Sequence, residues 1–91
     1  MLARAANGLS DAGADRQRAI ILADLALTHA KLGDMRIAAV LLGQAIALTA
    51  TVGGAIPTRR IYEVRREFDP SRDGALLREL NEQLHATALP V

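Results

Sequence analysis

Arginine is the side chain whose type and spacing come nearest to chemistry in this chain. Arg59, Arg60, Arg65 and Arg66 surround Tyr62 in the stretch PTRRIYEVRREFDP, with Glu63 and Glu67 interleaved. Guanidinium groups at this density could meet an acidic peptide or a phosphate backbone, and Tyr62 could stack on a ligand. The glutamates sit at helical spacing to the arginines, which favours a solvated, self-balanced face. A half-buried structural place likewise suits Tyr62 better than a ligand contact. Of the two histidines, His29 falls on an apolar stripe, where a packed, hydrogen-bonded imidazole is expected rather than a metal ligand or a pH switch. His85 falls near a helix C-terminus, where the dipole accounts for it.

The tests for catalysis fail. There is no glycine-rich phosphate loop, no HExxH and no serine with a base at motif spacing. Asp11, Asp15, Asp24 and Asp34 do not follow a calcium-loop pattern. The chain has no cysteine, which excludes disulfides, thiolate metal sites and a cysteine nucleophile and suits a reducing cytoplasm. No catalytic, cofactor or metal residue is expected, and the reading is non-enzymatic. A net charge of +1 gives no whole-molecule attraction to nucleic acid or anionic lipid, so neither is an expected partner.

The elements that position these residues follow from composition. The 91 residues suffice for one domain at most, and they are 51% hydrophobic but only 2% aromatic. A core must therefore be made of Ala, Leu, Ile and Val, and the abundance of Ala and Leu argues for an all-α fold. About four main helices and a short N-terminal one are expected. The first, within LARAANGL, groups Leu2, Ala5, Ala6 and Leu9 on one face and ends at Ser10–Gly13, so that residues 1–14 make a short helix and loop.

A second helix is expected from a cap at Asp15 to about Leu32, with Ile21, Leu22, Leu25, Ala26, His29 and Leu32 as its apolar stripe. Gly33 is placed as a left-handed C-terminal residue and Asp34 as the cap of the next helix, which folds back as a hairpin over residues 15–51. That next helix, from about Met35 to Thr51, is apolar almost all round and must be covered on opposite sides. Its nearly uncharged run of about 17 residues is at the bottom of the membrane-spanning range, and a buried core helix is the favoured reading. Pro57 fixes the start of a further helix near Ala55, with Ile61, Val64 and Phe68 as its stripe, and Asp69-Pro70-Ser71 ends it. A last helix runs from about Asp73 to Ala86 on Leu76, Leu77, Leu80 and Leu84. Residues 87–91 are a frayed tail.

The hairpin from Leu22 to Ala50 resembles a single tetratricopeptide repeat. Leu22, Leu25-Ala26 and His29 stand at the repeat's first-helix positions. Gly33-Asp34 stands at its turn, and Ala38, Leu42 and Ala45 at the small-large-small positions of its second helix. His29, Leu22 and Ala50 depart from the usual aromatic, Trp and Pro. The C-terminal half, with Asp69-Pro70, Arg72-Asp73 and Leu80-x-Glu82-x-Leu84, is similar to the end of the tetratricopeptide-type regulatory region of actinobacterial Xre-type transcriptional regulators, with Ser71 where Trp is common.

The resemblance implies an α-solenoid in which residues 55–86 form a degenerate second, capping hairpin. It implies a protein or peptide partner on a concave face lined by Ile20, Ala23, Leu27, Ala30 and Lys31 from one helix and by Arg59, Tyr62 and Arg66 from another. No carboxylate clamp of the chaperone-binding type is expected, because its basic and amide residues are mostly missing. The alternative is a self-associating homodimer, since a lone hairpin leaves an exposed edge.

Overall fold

The computed structural model describes the backbone of residues 2–87 and 89 and the side chains of residues 12–87 and 89. The protein is all-α: α1 spans Leu2–Lys31, α2 Met35–Val52, α3 Ala55–Arg65 and α4 Gly74–Thr87. The expected break at Ser10–Gly13 is absent, and the separate N-terminal helix is corrected to the first turns of one 30-residue helix. The reason is cooperative. A single Gly inside a helix costs about 1 kcal/mol, whereas stopping and restarting requires a second, unfavourable nucleation. Asp15 is accordingly an interior residue and not a cap. The face of Leu2, Ala5, Ala6 and Leu9 lies outside the described side chains.

The turn between α1 and α2 forms where Gly33-Asp34 predicts it. Gly33 has φ of +87°, a conformation open to glycine and strained for other residues. The Gly33 N–H donates to Ala30 (3.0 Å) and the Asp34 N–H to His29 (2.8 Å). That pair of bonds is the Schellman arrangement, which satisfies the last carbonyls of the helix. Asp34 makes no side-chain cap bond to α2. Its carboxylate instead lies 3.6 Å from Nδ1 of His29, taking the place of the apolar contact that usually closes this motif.

The seam between α1 and α2 is lined by small residues. Ala19, Ala23 and Ala26 of α1 and Ala38 and Ala45 of α2 are fully buried. Leu22, Leu27 and Ala30 are partly buried around them. The larger residues expected to face inward do not: Ile21, Leu25 and Leu32 are 50%, 45% and 71% exposed. The hydropathy of α1 supports two overlapping stripes, and closeness of approach decides between them. Methyl groups let the two backbones come together, and bulkier side chains are displaced to the margin.

α2 is covered by α1, by α3 and by α4. Leu42 and Ile46 are buried in one cluster with Ile61, Val64 and Phe68, and with Leu80 and Leu84 of α4. The cover is incomplete, because Ile37 and Val40 remain about half exposed. α2 also has the length and mean hydropathy, 1.7, of a membrane span; in this fold three helices pack on it instead.

The helices of the two halves run parallel in pairs. Asp24 of α1 pairs with Arg60 of α3, and Lys31 with Glu67, so contacts advance together along both helices. On the other layer, Asp73 and Leu76 lie beside the start of α2, and Gln83 reaches its middle, where Nε2 donates to the Gly43 carbonyl at 2.8 Å. A Cβ at position 43 would lie 3.2 Å from the Gln83 amide oxygen, so a larger residue there would make that side chain shift by a few tenths of an ångström.

Three substitutions separate the alanine seam from the leucine stripe. Leu42→Ala is expected to cost about 3 kcal/mol by cavity formation, and Ala26→Leu about 1–3 kcal/mol by overpacking. Leu25→Ala, on the exposed stripe, should cost less than about 1 kcal/mol. Urea unfolding measures all three, and a Leu25 penalty equal to that of Leu42 would put the leucine stripe in the core.

Candidate functional site

α3 begins at Ala55 because Pro57 is tolerated only in a first turn. Thr58 reinforces that start, with its hydroxyl donating to the Gly54 carbonyl at 2.7 Å. Ile61 and Val64 anchor one face in the core. A second face, carrying Arg60 and the following Glu67, turns to α1. The remaining face carries Arg59, Tyr62, Glu63 and Arg66, which line a groove of about 750 Å³. Gly53, Gly54 and Ala55 close one end, and Leu89, past the end of α4, forms a wall.

Tyr62 is half-buried, as expected, and its placement is specific. Its hydroxyl donates to the main-chain carbonyl of Leu89 at 3.0 Å, and the guanidinium of Arg65 lies 5.5 Å from its ring centroid, within cation–π range. The tail is thus held at Leu89 rather than frayed there; Ala88, Pro90 and Val91 lie outside the described residues. Arg16 reaches the closed end of the groove, with Nε donating to the Val52 carbonyl at 3.3 Å and its side chain beside Gly54. Arg59 and Arg66 have no carboxylate in ion-pair reach among the described residues.

The residues expected on a single concave face separate into two places. Arg59, Tyr62 and Arg66 come together in the groove. Ile20, Leu27 and Lys31 do not join them. Ile20 and Leu27 are partly buried on α1, and the Lys31 ammonium lies 3.5 Å from Glu67. Ala23, expected with them, is fully buried in the α1–α2 seam, and Ala30 packs against the same core. The physical reason is that α3 turns Arg60 and Glu67 toward α1, which leaves Arg59 and Arg66 on its far side. Leu89 carries no signal in the sequence that would place it against a residue 27 positions earlier.

His29 lies at the end of α1, and its buried Nδ1 has no hydrogen-bond partner among the described residues: the Asp34 oxygen at 3.6 Å is too far for a hydrogen bond. Among the described residues no three of His, Asp and Glu gather closely enough to hold a metal ion.

The position of α4, and with it of Leu89, is set by a clasp in the preceding turn. Asp73 stands where a cap is expected, but its carboxylate points back. Oδ2 accepts from the Asp69 N–H at 2.9 Å and from Arg72 at 2.8 Å, and the Asp69 carboxylate accepts from the Ser71 N–H at 2.8 Å. Asp73 is almost fully buried although Arg72 is exposed. The hydrogen bonds from Arg72, and then that from the Asp69 backbone, hold the Asp73 carboxyl below its ordinary value of 3.8, against the opposing effect of burial. The Arg72 guanidinium is correspondingly held above its ordinary value, chiefly by its hydrogen bond to Asp73.

Comparison with protein-family models, with curated proteins and with solved structures finds no match to this chain.

A carboxyl whose pKa falls on folding stabilises the native state above its unfolded value and loses that contribution as pH drops through the folded value. Asp73→Asn should therefore lower the Tm at pH 6, and the gap to the native protein should close as pH falls below 3.8. A gap unchanged down to pH 2.5 would remove the ionised clasp from the account.

Proposed function

We propose that this chain is a non-enzymatic, tetratricopeptide-like module that binds a protein or peptide. The observation that carries the reading is the groove beside α3, where the Tyr62 hydroxyl already holds the main-chain carbonyl of Leu89 and where Arg59 and Arg66 have no carboxylate in ion-pair reach among the described residues. The parallel pairing of α1 with α3 and of α2 with α4 supports the repeat-like part, because two hairpins stacked in the same direction pair their first helices together and their second helices together.

The module is a fragment or small relative of the regulatory region of a bacterial transcriptional regulator, of the actinobacterial kind, and it works in the cytoplasm without touching DNA itself. The support for this part is narrower. It rests on the Asp69-Pro70 and Arg72-Asp73 pairs, three of whose residues build the clasp that sets α4.

A second reading, self-association, is favoured by one separate feature. Ile21, Leu25, Leu32 and Ile37 are exposed near one another in sequence on the first hairpin, and apolar surface of this kind marks contact sites.

Two measurements test these readings. In NMR titrations of the full chain with extended peptides of acidic, neutral and basic composition, amides of residues 53–66 and 89 should shift with at least one of them. No shift with any peptide at millimolar concentration would overturn peptide binding at this groove. Light scattering decides the second reading: a mass of 9.7 kDa rejects the homodimer. A doubled mass that Leu25→Glu returns to the single value supports it.

A further inference from the structure

The groove holds more charge than its resident uses. Arg59 and Arg66 line it, Arg16 stands at its closed end and Arg65 lies over Tyr62, against the single carboxylate of Glu63. Leu89 supplies the carbonyl that Tyr62 binds and an apolar side chain along the wall.

Spacing along the groove gives the ligand's form. Arg59 lies in α3 and Arg66, seven positions on, is its C-cap residue, still in helical backbone conformation, so the rise between them is about 10 Å. A polyproline II peptide advances about 9 Å in three residues and returns to the same face. Leu89 precedes Pro90, and a residue before proline is biased to that extended conformation. We infer that the groove is a docking site for an extended peptide of the form acid-Leu-Pro-acid. The leucine takes the place of Leu89, its carbonyl accepts from Tyr62, and the two acids meet Arg59 and Arg66.

The chain's own tail is then a weak resident that a better-charged segment displaces. A peptide fits this surface better than nucleic acid does. Glu63 interrupts the row of arginines, a groove of about 750 Å³ holds a few residues and not a duplex, and the one hydrogen bond already formed is to a peptide carbonyl. The inference rests on the interaction-module reading and names its partner class.

The test is fluorescence anisotropy with the full chain and a labelled peptide, Gly-Ser-Glu-Leu-Pro-Glu-Ser-Gly, beside its Gln-Leu-Pro-Gln counterpart. The acidic peptide should bind at least about fivefold more tightly at low salt, and the advantage should shrink as salt screens exposed charges. Arg59→Gln with Arg66→Gln should remove that advantage and leave the thermal melt unchanged, since both side chains are exposed.

Freeing the groove by Leu89→Ser should tighten binding of the acidic peptide by about three- to tenfold, as expected when a competing state is depopulated. A general loosening of the fold would weaken binding of both peptides instead of tightening that of the acidic one, and that result would overturn the displacement. Equal binding of the two peptides overturns the charge pattern but leaves the module reading intact. Binding of neither, together with no NMR response to any peptide, overturns both. Selective binding of a DNA duplex at Arg59 and Arg66 replaces the peptide with nucleic acid and overturns the proposal.

Discussion

The first hairpin depends on how closely α1 approaches α2. Ala19, Ala23 and Ala26 of α1 and Ala38 and Ala45 of α2 are all shut off from solvent. No one of these methyl groups removes much apolar surface from water. What the seam contributes is proximity: two backbones held close bring many atoms into dispersion contact, and a void there would forfeit those contacts outright. The seam also decides where the bulk goes. Leu42 and Ile46 project from α2 away from the crossing and become the ridge on which Ile61, Val64, Phe68, Leu80 and Leu84 assemble. α3 and α4 are in this sense fitted to a surface that the alanines created.

Charged contacts act on top of that arrangement as guides. The Asp24–Arg60 and Lys31–Glu67 pairs are both substantially exposed, and exposed pairs contribute between nothing and about 1 kcal/mol. Their effect is to favour one register of α3 along α1 over its neighbours. The Asp69–Arg72–Asp73 clasp differs because one of its carboxylates is buried. It precedes α4, which starts at Gly74 and runs for 14 residues, and so helps to set where Leu89 lies beside Tyr62.

Punctuation was the most legible part of the sequence. Gly33 ends α1 because the Schellman turn needs a positive φ, and Pro57 and Pro70 leave the chain few choices. Ile61, Val64 and Phe68 were readable as a core stripe because α3 offers no competing set of apolar residues. α1 was not readable in the same way. Its alanines and its leucines each form a helical stripe, hydropathy favours the leucines, and only the distance to α2 favours the alanines. Its continuity through Gly13 was hidden for a related reason: local propensity marks a weak point, while cooperativity decides whether the helix stops. At the groove, Arg59, Tyr62 and Arg66 share a face by spacing alone. Their separation from Ile20, Leu27 and Lys31 depends on the rotation of α3 against α1, and the contribution of Leu89 on where α4 ends. Neither is a local property.

The two ends of the helical stack are unlike each other. At the α3 end, Leu89 lies beside Tyr62, whose hydroxyl donates to its carbonyl. On α1 and the start of α2, Ile21, Leu25, Leu32 and Ile37 stay uncovered. The two sides therefore differ in what they present to water: apolar side chains on the first hairpin, and a groove lined by guanidinium groups beside α3.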